Sequence, residues 1–350
     1  MRVAVIGAGA VGSVLAGCLA EAGHGVVLVA RSGPAVPERG PLELDGPGDR
    51  RRIVPVERLS ASGAFPDDLD AAVLAVKRFD LPAALGVLDG RPLLPAVTVQ
   101  NGIGAEDQVS AIRVGSPLIA ASLTAAVEVG PSGEARWLNR GGIGLAPVRV
   151  GTGVAPTDDL ARALAGAFRT GGMRAAVLPD ARAMKWSKVI ANLVGNATSA
   201  LLDLDVGAIY ADAALFEVER RQELEALAVM RGLGLRPHAL PGADVRLLVR
   251  AFRAPAPIAR PILSRILGGA RGGKMPSLRL ALAAGPGPTE VAWLNGAVAA
   301  AGERLGVPAP VNAGLRRLVE DAASDPDRRA WFRGRPDRLL AELPGAGPAG

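Results

Sequence analysis

The chain has 350 residues, 49% of them hydrophobic and 21% charged, the balance of a folded globular protein and not of a disordered one. That length suits two domains, each able to bury its own core. The net charge of +6 comes from Lys and Arg scattered along the sequence, with one Tyr and six Phe to stack on bases, which argues against nucleic-acid binding; a basic surface that draws in small anions is the milder reading.

The first predicted element is a β-branched strand at Val3–Ile6, followed by Gly7-Ala8-Gly9-Ala10-Val11-Gly12 and an Ala/Leu-rich helix that ends near Gly23. Strand, G-x-G-x-x-G and helix in that order form the dinucleotide-binding arrangement. Gly7 allows the tight turn, Gly9 lets a pyrophosphate approach the backbone, and Gly12 lets the helix pack on the strand. The helix N-terminus then offers free amides and a positive dipole end to the phosphates. Cys18 lies inside this helix and reads as a buried structural thiol, and His24 at its end reads as structural.

A second strand, Val26–Val29, runs into Arg31 and Ser32. NAD enzymes place an Asp or Glu at that strand end to hold the ribose hydroxyls. A guanidinium and a hydroxyl suit the 2′-phosphate of NADP instead, so NADPH is the expected cofactor. Further strands at Ala71–Val76 and Val97–Val99 end in Lys77 and in Gln100-Asn101-Gly102-Ile103-Gly104. Ligands of open α/β sheets sit beyond the carboxyl ends of the strands, which places Lys77 and Asn101 at the cofactor; Asn101-Gly102 fits a plain turn equally well. β-like segments at 117–129 and 142–150 and a helix at 158–170 complete a domain spanning residues 1–180.

From Ala181 the pattern turns helical: Lys185–Ala200, Ala211–Gly232, Asp244–Phe252, Thr289–Leu305 and Ala313–Ala323. The expected architecture is therefore an α/β N-terminal Rossmann-type domain with a mostly parallel sheet, followed by an all-α C-terminal domain at 181–335 and a flexible tail at 336–350. The active site is expected in the cleft between the two domains. In KWSKVIANLVGN, Lys188, Asn192 and Asn196 recur every four residues, close to one helical turn of about 3.6 residues, so one continuous helix would align them as a polar stripe. Asn is a weak helix former, and an exposed face would use Lys, Glu, Arg or Gln, so an active-site wall explains the stripe better than solvation does. His238, between two prolines, reads as a structural loop residue, and two histidines leave little scope for a metal site or a His proton relay. Thr289-Glu290 after GPGP reads, from these residues alone, as a helix cap.

GAGAVG, Lys77, QNGIG at 100–104, KWSKVIANLVGN, the Ser277 segment and TEVAWLNG at 289–296 together make the chain resemble the ketopantoate reductase (2-dehydropantoate 2-reductase) family almost end to end. The resemblance implies NADPH-dependent reduction of a 2-oxo acid to a 2-hydroxy acid, on the way to pantothenate and coenzyme A. It implies that Lys188 is the general acid, that Asn192 and Asn196 touch substrate, and that Lys77 and Asn101 lie at the cofactor–substrate junction. Ser277 would bind the substrate carboxylate and Glu290 its hydroxyl, while Thr289 caps. The physical chemistry agrees: hydride arriving at a ketone carbon leaves charge on oxygen, which needs a positioned proton donor, and no histidine is suitably placed.

Where the family carries Ser-Met-x-Gln-Asp, this chain reads Ser277-Leu278-Arg279-Leu280-Ala281, so Gln and Asp are missing. Lys274 is expected to pair with the substrate carboxylate in their place. The departure leaves room for a different 2-oxo acid as substrate, and a non-catalytic NADPH-binding sensor is the alternative from another class. The lone cysteine fits a reducing compartment, and from the start MRVAVIG no secretory leader is expected. No apolar run reaches the roughly 18 residues of a membrane span, so a cytoplasmic enzyme without membrane partner is expected, with a homodimer as the candidate assembly.

Overall fold

The computed structural model describes residues 1–33, 38–47, 50–149, 157–270 and 275–344. The chain divides into two compact units. The first comprises Met1–Gln100, Gly104–Lys185 and Leu240–Ala243; the second comprises Asn101–Ile103, Trp186–Ala239 and Asp244–Gly350.

The first unit is built on strands β1 (Arg2–Ile6), β2 (Gly25–Ala30), β3 (Glu38–Gly46), β4 (Arg50–Ser60), β5 (Ala71–Leu74), β6 (Ala96–Thr98), β7 (Leu118–Leu123), β8 (Val127–Val129), β9 (Ala135–Trp137), β10 (Gly142–Pro147) and β11 (Arg174–Val177). They form one sheet in the order β11-β10-β7-β6-β5-β1-β2-β4-β3-β9-β8. Its centre is parallel, with β1 between β2 and β5, and β6 and β7 continuing outward. Helices α1 (Ala10–Glu21), α2 (Leu81–Gly86), α3 (Ala105–Ile112) and α4 (Asp158–Thr170) complete the unit. Alternation along β1 distributes the core to two faces: Val3 and Val5 pack with Val14, Leu15, Leu19 and Phe168 of α1 and α4, while Ala4 and Ile6 pack with Leu81, Leu85 and Val109 of α2 and α3. The expected Rossmann-type α/β domain is present.

β3 and β4 were not among the expected strands. Their residues are rich in Arg and Glu, and Pro41 and Pro55 sit opposite each other in the antiparallel register. Proline and dense charge mask a strand pattern, yet Leu42, Leu44, Val54 and Val56 alternate inward and carry the pairing.

Helix α5 (Ala181–Leu193) opens in the first unit and runs into the second. The second unit continues with α6 (Asn196–Leu202), α7 (Val206–Ala211), α8 (Ala213–Gly232), α9 (Val245–Arg253), α10 (Ala256–Ala270), α11 (Ser277–Ala283), a 3₁₀ turn Glu290–Trp293, α12 (Asn295–Leu305), α13 (Pro310–Ser324), α14 (Pro326–Phe332) and α15 (Pro336–Glu342). It is all-helical among its described residues. Tyr210, Phe216 and Phe252 are buried at its centre, with ring centroids 5.9 and 6.3 Å from the tyrosine.

Three expectations are corrected here. The segment 185–200 is not one helix: it breaks at Gly195, whose φ of +59° is left-handed. The 289–305 segment is a 3₁₀ turn followed by a separate helix, and Thr289 makes no side-chain cap bond. Of the tail expected at 336–350, residues 336–344 are not loose, because Leu339 of α15 is completely buried and Leu343 just after it nearly so, while 345–350 lie outside the described residues. α10, masked in sequence by its internal Pro261, was not expected at all.

Candidate active site

The nucleotide-binding turn sits at the carboxyl end of β1. Gly7 adopts φ +114°, and its amide donates to the Val29 carbonyl at 2.8 Å, tying the turn to β2. A Cβ on Gly12 would lie 1.8 Å from the Gly7 carbonyl oxygen, so only glycine lets α1 start this close to the turn. A Cβ on Gly9, by contrast, would meet nothing within 4 Å. Ala8 and Gly9 are exposed, Ala10 and Val11 half-buried, and the first turn of α1 carries no acidic side chain. The open backbone at Gly9 and the free helix end fit a pyrophosphate. Arg31 and Ser32 follow β2 and are exposed, and exposed Lys77 precedes the 3₁₀ turn Arg78–Asp80 that follows β5.

Two residues the sequence reading passed over hold this end of the sheet. Gln100 is buried, and its Nε2 donates to the carbonyls of Leu74 (2.7 Å) and Val76 (3.1 Å), fixing the backbone that leads into Lys77. Lys185, also buried, donates from Nζ to the carbonyls of Gln100 (2.6 Å) and Ala121 (3.3 Å) and pairs with Glu106 at 3.2 Å. Thr98 Oγ1 donates to the same Glu106 carboxylate at 2.6 Å. A buried ammonium needs such partners. Lys185 stands three residues before Lys188, and only its lysine identity on an apolar face signalled it.

The other candidate residues lie in the second unit. Lys188 is half-buried on α5, four residues before Asn192. Asn192 Nδ2 donates to Asn101 Oδ1 at 3.2 Å, so these two carboxamides are brought together. The Asn101 segment is fixed from the other side, since the Ile103 amide donates to the Trp293 carbonyl at 3.0 Å. Gly102 (φ +81°) is required there, because a Cβ would lie 2.3 Å from that carbonyl oxygen. Glu290 begins the 3₁₀ turn ending at Trp293 and is 7% exposed.

Asn196 lies beyond the helix break. Glu219, completely buried on α8, accepts from the Gly195 amide (2.6 Å), Thr198 Oγ1 (2.6 Å) and Tyr210 Oη (2.9 Å), which holds the break. Asn196 therefore does not continue the Lys188–Asn192 row along one helix. Its Oδ1 accepts from the Leu278 amide at 3.1 Å and its Nδ2 donates to Ser277 Oγ at 3.4 Å. The structure thus joins Asn196 to exposed Ser277. Lys274 lies outside the described residues. Cys18 is buried in α1, and burial pushes its thiol up to about 12, the behaviour of a packed thiol and not of a nucleophile. His24 receives the N-terminal amine at 3.3 Å, and burial lowers its pKa.

A Rossmann-type sheet with an open glycine turn, followed in the same chain by a helical unit rich in buried carboxamides, is the build of a dinucleotide-binding protein. Residues 3–149 match the model of the family "Ketopantoate reductase PanE/ApbA", and residues 180–323 match that family's C-terminal model. The chain belongs to the ketopantoate reductase family. It is 24% identical over 323 residues to a 2-dehydropantoate 2-reductase of Archaeoglobus fulgidus, covering 92% of this chain and 98% of that one. A 2-dehydropantoate 2-reductase of Mesorhizobium japonicum is 31% identical over 263 residues, covering 67% and 78%. The crystal structure of a PanE/ApbA family ketopantoate reductase from Ralstonia eutropha JMP134 superposes with a TM-score of 0.71 at 26% identity, covering 94% of this chain and all of that one.

Proposed function

We propose that this chain reduces 2-dehydropantoate to pantoate with NADPH, using Lys188 as the proton donor. The observation that carries the reading is the Asn101–Asn192 hydrogen bond with the Lys188 ammonium one turn earlier on the same helix. When bound, NADPH supplies the hydride. Gly7, Gly9 and Gly12, with the backbone of Ala8, Ala10 and Val11, would hold its pyrophosphate, Arg31 would bind the 2′-phosphate, and Lys77 would serve the nicotinamide side. As the ketone carbon takes the hydride, Lys188 stabilises the charge developing on its oxygen and transfers a proton to it, leaving a neutral amine and an alcohol. Asn192 and Asn101 can donate and accept without adding charge, Ser277 with Asn196 holds the carboxylate, and Glu290 accepts from the substrate hydroxyl.

No helix among the described residues is long and apolar enough to cross a membrane. A second reading keeps the chemistry and changes the 2-oxo acid. It is favoured by Leu280, 45% exposed, and Ala281 standing where the family resemblance leads one to expect Gln and Asp. Following nicotinamide absorbance with ketopantoate and a panel of branched and aromatic 2-oxo acids separates the two: the first reading requires ketopantoate to give the highest kcat/KM.

The cofactor choice is tested separately. Arg31→Ala should raise KM for NADPH by about 10- to 100-fold, the loss of a charge-assisted phosphate contact, and leave KM for NADH unchanged. Equal loss with both cofactors would remove Arg31 from the 2′-phosphate site.

A further inference from the structure

The segment that departs from the family's pattern is also held to its neighbour by side-chain hydrogen bonds at two points. Helix α6 grips α11 at both of its own ends. At its start, Asn196 accepts from the Leu278 amide and donates to the Ser277 hydroxyl oxygen. At its end, Asp203 takes Arg279: Nε donates to Asp203 Oδ1 at 2.8 Å, and Nη2 to the Asp203 carbonyl at 3.1 Å. Nη1 donates to Asp205 Oδ1 at 2.8 Å. The Arg279 side chain is only 15% exposed, so this is a partly desolvated, multidentate pairing and not a loose surface one. Asp203 is the one non-glycine at positive φ among the described residues, at +56°, where it caps α6. Asp tolerates that conformation, and its carboxylate is turned to Arg279 and also pairs with Arg333 at 3.0 Å. Buried Leu278 and Leu282 anchor the apolar side of α11, while Ser277 stays exposed.

We propose that Arg279, clamped by Asp203 and Asp205, is a positioning residue that fixes the pose of Ser277 and so sets affinity for the 2-oxo acid carboxylate. The proposal rests on the reading of Ser277 as the carboxylate site. Its physical content is that Leu280 and Ala281 offer no polar hold on α11, and Arg279 supplies one from the preceding position. Arg279 itself faces the aspartates and touches no reacting atom.

The test uses the full-length enzyme with NADPH and the best 2-oxo acid of the panel, in Arg279→Leu, Arg279→Lys and Asp203→Asn. Arg279→Leu should raise KM for the 2-oxo acid about tenfold, with kcat within about twofold and KM for NADPH unchanged. Asp203→Asn should do the same, the double variant should be no worse than the worse single, and Arg279→Lys should recover part of the loss. Hydrogen exchange should quicken at 277–283 and stay as in the wild type elsewhere. An unchanged KM, or a fall in kcat and melting temperature with KM held, overturns the proposal while leaving the reductase reading intact. A wild-type enzyme that turns over no 2-oxo acid overturns both. If Arg279→Leu does not fold, the milder Arg279→Lys and Asp203→Asn carry the same comparison.

Discussion

Lys188→Ala should lower kcat by about 10²- to 10⁴-fold, the range that a positioned general acid contributes, with NADPH affinity unchanged. Lys188 is half-buried and the neighbouring Val189 and Ile190 fill the core, so removing the ammonium opens no cavity and the melting temperature should stay within about 2 °C. The split matters, because the same variant in a non-catalytic NADPH-binding protein would change nothing measurable. Lys188→Arg should not restore the rate: a guanidinium keeps its proton, whereas the reaction needs it transferred. Steady-state kinetics of the two variants, with a calorimetric NADPH titration, checks the assignment. A Lys188→Ala enzyme with more than about half the wild-type kcat would mean that another group donates the proton.

The second large effect is expected at Gly12. An alanine Cβ there would sit 1.8 Å from the Gly7 carbonyl oxygen and 3.2 Å from Ala75 Cβ. The nearest atom is backbone, so no side chain can swing away, and α1 or the glycine turn must move. Gly12→Ala should therefore weaken NADPH binding by at least about 100-fold and cost about 1–3 kcal/mol of stability. Gly9→Ala supplies the contrast. Its backbone is extended (φ −81°) and its Cβ site is open, so the protein should melt like the wild type. Any loss of NADPH affinity in Gly9→Ala would then come from the methyl meeting the pyrophosphate. Fluorescence titration and thermal melts of both variants decide; wild-type affinity in Gly12→Ala would remove this turn from cofactor binding.

What the sequence could disclose follows from how local each signal is. β1, β2, β5 and β6 are short apolar runs buried on both faces, and a parallel core strand reads that way from its own residues. The glycine turn likewise carries its signal within six positions. The helix break at Gly195 does not. It is held by Glu219, twenty-four residues later, and four-residue spacing across Lys188, Asn192 and Asn196 is the same whether or not the helix is continuous. The same holds at Asn295, which donates to Gln222 and Asn312 in the buried interior; those partners accompany the separation of the 3₁₀ turn from α12 and lie far off in sequence. Buried or half-buried polar partnerships such as Lys185–Glu106 and Arg279–Asp203 are pairings, and neither member announces the other. Family resemblance directed attention to Ser277 and Glu290, but the grip of α6 on α11 emerged only from the folded chain.

The most direct test of the central claim is isotopic. Wild-type enzyme is supplied with ketopantoate and NADPH deuterated at C4 of the nicotinamide ring, and the product is analysed by mass spectrometry. The account predicts pantoate carrying one deuterium at C2, the former ketone carbon, formed rapidly by the wild type and barely by Lys188→Ala. Tight NADPH binding with no labelled 2-hydroxy acid from ketopantoate or any other 2-oxo acid would contradict it.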